Sequence, residues 1–202
     1  MATIPFSVTT VILAGGLGTR IGGDKGLHQL HGKALIGWVL EAVVRESNEV
    51  LINANDTQGS YSHFGHRVIA DLIPGWPGPL AGLHAALCFA HTGQVMTVPC
   101  DTPFLPEDLV ARLAEAQRLN ASEVAVAVAG GSRQPTIALY NKNVLPKLTA
   151  YLDSGKRKVN DWLDTLRLTE VAFDNAEDFD NINSSDDLAR VARVPARLLA
   201  KK

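Results

Sequence analysis

Short apolar runs alternate along this chain with amphipathic stretches of helical length, the pattern of a mainly parallel sheet wrapped by helices. Val8 to Leu13 reads as a first strand. Leu35, Trp38, Val39, Ala42 and Val43 then fall on one helical face, and Val50-Leu51-Ile52 gives a second strand. Arg67 to Ala70 predicts a short third strand, Leu80 to Ala90 a helix, and Gln94 to Val98 a buried strand. Pro106-Glu107-Asp108 is expected to open the next helix, since a first turn favours proline and acids.

The second half departs from simple alternation. Val124 to Val128 and Thr136 to Tyr140 are apolar runs joined by Gly130-Gly131-Ser132-Arg133, short enough for an antiparallel hairpin, so the sheet is expected to be mixed. A helix over Val144 to Leu152, a basic turn at Gly155-Lys156-Arg157-Lys158 and a helix through Trp162 and Leu166 follow. A strand at Val171 to Phe173 leads to Asn181-Ile182-Asn183, after which Ser184 or Ser185 caps a last helix. The fold class is therefore α/β: a single-domain three-layer sandwich around a mostly parallel, mixed central sheet.

Length supports one core. A chain of 202 residues buries about 70% of the surface its unfolded form exposes, so a single domain is expected over 1–202, with its core at 8–192 and a basic tail at 193–202. A net charge of −2 gives no general attraction to nucleic acid or anionic membrane. No apolar run approaches the ~18 to 20 residues that span a bilayer, and the start Met1-Ala2-Thr3-Ile4-Pro5 has no signal-peptide pattern. A cytoplasmic protein is predicted, without nucleic-acid or membrane partners. Two cysteines, Cys88 and Cys100, form neither a disulfide framework nor a zinc set and read as core thiols, and the six histidines lack metal-ligand spacing.

The chemistry is concentrated in one loop. Leu13-Ala14-Gly15-Gly16-Leu17-Gly18-Thr19-Arg20, followed by Asp24-Lys25-Gly26, places flexible amides and two cations after the first strand, where they can grip phosphate. It is not a nucleotide P-loop, because no Gly-Lys-Ser or Gly-Lys-Thr occurs in the chain. It is not a dinucleotide fingerprint either: Ile21 holds the third glycine position, and Ile36-Gly37-Trp38 stands where an acid is needed.

In open parallel sheets ligands bind beyond the carboxyl ends of the strands, and polar residues gather there: Asn53 and Asn55, Asp71, Asp101, Asn181 and Asn183. Asn55 and Asp56 read as turn residues. Asp101 sits in Pro99-Cys100-Asp101-Thr102-Pro103, fenced by prolines, and a lone carboxylate facing a phosphate loop suits Mg²⁺, which usually takes one or two carboxylates plus water and phosphate oxygens.

These residues carry a resemblance. The loop with Arg20 and Lys25 resembles the signature of nucleotidyltransferases of the glycosyltransferase-A type fold, the nucleotide-diphospho-sugar transferase-like architecture. The compact Gly22-Gly23-Asp24-Lys25-Gly26 form is similar to that of the molybdenum cofactor guanylyltransferases. Pro77-Gly78-Pro79-Leu80-Ala81-Gly82, the Asp101 loop, Gln134-Pro135-Thr136-Ile137-Ala138-Leu139 and Asn181-Ile182-Asn183 before Asp187-Leu188 match that family in order and spacing, over 8–192.

The resemblance implies transfer of GMP from GTP to the terminal phosphate of molybdenum-molybdopterin. Leu13, Ala14 and Gly15 would contact GTP, Lys25 its phosphates, Asn53 and Asp71 the nucleoside, and Asp101 both Mg²⁺ and nucleotide; Arg20, Lys25 and Asp101 form the expected catalytic set. Gly15 stands where related cytidylyl enzymes have alanine. Asn183 stands where many nucleotidyltransferases place a second acidic ligand, so Asn181 and Asn183 are candidates for the metal or second substrate, and Arg133, Arg157 and Lys158 for the anionic pterin. Implied partners are a molybdenum insertion protein and molybdoenzyme clients or their chaperones. The residues alone are also compatible with a nucleotidyltransferase for a sugar phosphate or other phosphorylated acceptor, or with a non-catalytic carrier that binds GTP and cofactor.

Overall fold

The run Val8–Leu13 forms β1 of a computed structural model that describes residues 6–15, 25–55, 59–74 and 78–193. Residues 16–24 with Arg20, as well as Asp56, Pro77, Arg197, Lys201 and Lys202, lie outside the described residues. A small hairpin, β2 (Gln29–Leu30) and β3 (Lys33–Ala34), precedes α1 (Leu35–Val43). There follow β4 (Glu49–Asn53), β5 (Arg67–Ile69), α2 (Pro79–Phe89), β6 (Gln94–Pro99), α3 (Leu109–Leu119), β7 (Val124–Ala129) and β8 (Ser132–Asn141). The last elements are α4 (Leu145–Asp153), α5 (Val159–Leu163), β9 (Leu168–Phe173) and α6 (Ser185–Val191).

Seven strands form one sheet in the order β5-β4-β1-β6-β8-β7-β9. β8 runs antiparallel to both of its neighbours and the other pairings are parallel, the mostly parallel, mixed sheet that the hydrophobic pattern predicts. Gly130 and Gly131, at φ 56° and 73°, make the tight turn that sends β8 back beside β7. β8 then inserts between β6 and β7, which sequence order does not reveal.

Side chains alternate cleanly across the sheet, as a strand's two-residue period requires. Val8, Ile12, Val50, Ile52, Met96, Val98, Ala125 and Ala127 join one cluster with Ile36 and Val39 of α1 and Val110 and Leu113 of α3. Val11, Leu51, Val95, Val124 and Val126 face the other, against Leu83 and Leu87 of α2, Leu148 of α4 and Trp162 of α5. These are the two helical layers of the sandwich. Among the described residues no helix is long and apolar enough to cross a membrane.

Three local expectations are corrected. Helix α3 starts at Leu109 rather than at Pro106, because Pro106 lies in a preceding turn whose carbonyl accepts from Leu109 N. The amides of Val110 and Ala111 instead donate to Glu46 Oε2, at 3.1 and 3.4 Å, from a distant segment. Helix α5 ends at Leu163, short of Leu166, where Thr165 Oγ1 turns back to the carbonyl of Trp162. Cys88 is exposed near the end of α2 rather than in the core, although Cys100 is buried.

Candidate active site

Strand register brings the polar residues together. Leu13 at the end of β1 lies level with Asn53 at the end of β4 and with Pro99 at the end of β6, and Asn53 is level with Ile69 at the end of β5. The ladder continues past the strands: Ala14 N donates to the carbonyl of Asn53, Cys100 N to that of Leu13, and Ala54 N to that of Ile69. The start of the glycine loop thus stands between two groups of side chains, one over β4 and β5 and one over β6.

The group over β6 is charged. Lys25 Nζ donates to Asn183 Oδ1 at 2.8 Å and lies 3.5 Å from Asp101 Oδ2. Asp101 is 9% exposed, and burial pushes its carboxyl above the ordinary range while Lys25 opposes that rise. Among the described residues its ion-pair partner is Lys25, and that long contact compensates its charge only in part. Ile182 N donates to the carbonyl of Asp101, and Thr102 Oγ1 donates to Asn181 Oδ1, so the loop before α6 is stitched to the loop after β6. Ile182 packs with Leu30 and Leu35 in a small third cluster that anchors this loop beside β2 and α1. Asn183 therefore meets Lys25, whereas the side-chain oxygen of Asn181 serves Thr102.

The group over β4 and β5 sets the amides of Asn53 and Asn55 around the carboxylate of Asp71. Asn53 is 4% exposed; its Nδ2 donates to Asp71 Oδ1 at 3.0 Å and to the carbonyl of Ile69 at 3.3 Å. Asn55 Nδ2 donates to Asp71 Oδ2 at 2.9 Å, and Asn55 Oδ1 accepts from Asp71 N at 2.9 Å. A side chain on Gly15 would approach Asn53 Oδ1 and Asn55 Nδ2, and one on Gly82, in the first turn of α2, would overlap Asn53 Oδ1. Asn55 and Gly82 carry roles that the sequence reading did not give them. The available signal for Asn55 was the spacing of Asn53 and Asn55, which in an extended segment puts both amides on one side.

The basic candidates differ among themselves. Arg133, near the start of β8, donates to both Asp164 and Glu170, so its guanidinium is already shared between two carboxylates. Arg157 and Lys158 are exposed in the turn between α4 and α5. Among the described residues no cluster of three histidine, cysteine or acidic side chains could hold a metal, and near Lys25 the carboxylate of Asp101 is joined by the amide oxygen of Asn183.

Comparison with known proteins identifies the family. The model of the MobA-like NTP transferase domain matches residues 10–170. The molybdenum cofactor guanylyltransferase of Cupriavidus metallidurans is 44% identical over 187 residues, covering 90% of this chain and 92% of that protein. Its counterpart from Shewanella sp. (strain MR-4) is 41% identical over 187 residues, covering 92% of this chain and 95% of that one. Among solved structures, molybdopterin-guanine dinucleotide biosynthesis protein A from Archaeoglobus fulgidus superposes with a TM-score of 0.78 at 27% identity, over 94% of this chain and 99% of that one.

Proposed function

This chain belongs to the MobA-like NTP transferase family, and on that footing we propose that it transfers GMP from GTP to the terminal phosphate of molybdenum-molybdopterin, forming molybdopterin guanine dinucleotide and pyrophosphate. The observation that carries this reading is the placement of two unlike groups on either side of the end of β1. The amide-bracketed carboxylate of Asp71 suits a base edge, and Lys25 with Asp101 suits a triphosphate. GTP would lie across Gly15, with Leu13, Ala14 and Gly15 beneath it, guanine over β4 and β5, and phosphates over β6.

Asp71 can accept from the N1–H and N2–H of guanine, whereas the corresponding edge of cytosine offers acceptors. A pterin phosphate oxygen attacks the α-phosphorus, the bond to the β-phosphate oxygen breaks, and pyrophosphate leaves with its electron pair. No covalent enzyme intermediate is required. The work of the chain is alignment and charge neutralisation, by Lys25, by the loop amides and by Arg20. Asp101 and the amide oxygen of Asn183 fit Mg²⁺, because a buried and partly compensated carboxylate beside a neutral oxygen leaves room for water and phosphate oxygens. When bound, that ion would supply further neutralisation of the triphosphate. Arg157 and Lys158 are proposed for the pterin phosphate, with Arg133 reaching it only by releasing Asp164 or Glu170. A cytoplasmic location fits two unbridged cysteines.

The test is pyrophosphate release from GTP, ATP, CTP and UTP, each with and without molybdenum-molybdopterin and Mg²⁺. Release confined to GTP plus the pterin, and a fall of at least about 100-fold in kcat for Lys25→Ala at saturating GTP, are expected. Release with another nucleotide, or near-normal kcat in that variant, would overturn the reading.

A further inference from the structure

We infer that Asn55 is a positioning residue for guanine recognition, fixing the plane of the Asp71 carboxylate while leaving its charge available to the base; this rests on the reading that Asp71 receives the guanine edge. Asp71 is half-buried just past the end of β5, a place where an acidic side chain would ordinarily sample several rotamers. Here both of its oxygens are held, Oδ1 by Asn53 and Oδ2 by Asn55. Asn55 also accepts from the amide of Asp71, so the two residues exchange a pair of hydrogen bonds, each 2.9 Å long. Such a closed pair sets both the position and the twist of the carboxylate.

The donors are neutral, and that matters. A carboxylate offers about four lone-pair sites, of which the two amides take two, leaving one on each oxygen. Two acceptors side by side match two parallel N–H donors, the arrangement on the Watson–Crick edge of guanine. Among the described residues Asp71 makes no ion pair, so none of their cations takes up its charge. Arg133 shows the opposite case, a charge satisfied by its neighbours. Asn53 alone could not supply this control, because its Nδ2 is also committed to the carbonyl of Ile69 and reaches only Oδ1 of Asp71.

The experiment uses the full-length protein and the isosteric variant Asn55→Asp. That variant keeps the acceptor for Asp71 N but replaces the donor with an oxygen facing Asp71 Oδ2. A residue serving only as a turn former would tolerate the change. The expected result is a rise of about tenfold in KM for GTP with kcat changed by no more than about twofold, equivalent to one lost recognition hydrogen bond. The preference for GTP over inosine triphosphate, which lacks the N2 amino group, should narrow by a similar factor. Asn55→Ala, which removes both hydrogen bonds, should move KM in the same direction and keeps the test decisive if the aspartate variant folds poorly. Unchanged KM and unchanged base preference in the folded variants overturn the inference. Asp71→Asn, measured in parallel, separates the two levels. An unchanged KM there refutes the guanine reading itself, whereas a raised KM there with a normal Asn55→Asp refutes only the role of Asn55.

Discussion

The carboxylate of Asp101 is buried with Lys25 3.5 Å away, and burial disfavours its charged form. Its ionised state is therefore expected to weaken the fold while serving the proposed chemistry, a conflict characteristic of functional sites. Asp101→Asn is expected to melt at a higher temperature than the parent at pH 7 without added metal, and to lose at least about 100-fold in turnover. A lower melting temperature would mean that the attraction to Lys25 outweighs the desolvation of the carboxylate. The sequence made Asp101 and Lys25 visible, since flanking prolines and a glycine loop are local signals. It hid Asn55, because the partner that gives this amide its meaning is 16 residues away and meets it only once β4 and β5 pair.

Helix α2 begins beside the end of β4, and its close approach depends on Gly82, where any β-carbon would overlap Asn53. Gly82→Ala should push Asn53 off Asp71. We expect KM for GTP to rise about tenfold with kcat little changed, and Tm to fall by about 2–8 °C, the effect of roughly 1–2 kcal/mol of overpacking. Steady-state kinetics and a thermal melt check both halves, and an unaltered KM would show that Asn53 is not needed to hold Asp71. Most strands and helices were legible as elements because periodicity is a local property. The beginning of α3 was not. Proline and acids suggested a cap at 106–108, but the groups that receive its first amides sit on Glu46, a residue 64 positions before Val110.

At the scale of the molecule, Glu123 ties the far ends of the second half together. Its carboxylate accepts from Lys147 at 2.7 Å and from the amide of Arg167 at 3.1 Å, joining the segment before β7 to α4 and to the approach to β9. The bond from Lys147, followed by that from Arg167 N, holds its carboxyl below the ordinary glutamate range. A lowered value means that this stability is present above the ordinary glutamate pKa and is lost as pH falls through the lowered one. Glu123→Gln should thus cost about 1 kcal/mol, or about 2–4 °C in Tm, at pH 7. The gap from the parent should close in acid, and a gap that persists there would assign the loss to shape instead of charge. No local pattern announces such a residue, just as none announces that β8 enters between β6 and β7; both follow from the arrangement of the completed sheet.

Lys25 and Asn183 touch although 158 residues separate them. Synthesis runs from the amino end, so β1, β4, β5 and β6, with the residues proposed to hold the nucleotide, emerge from the ribosome well before Asn183 does. The residues proposed for guanine can therefore emerge before the contact between Lys25 and Asn183 is made. On the proposed function, turnover of GTP therefore awaits the loop that carries Asn183, the late-made partner of Lys25.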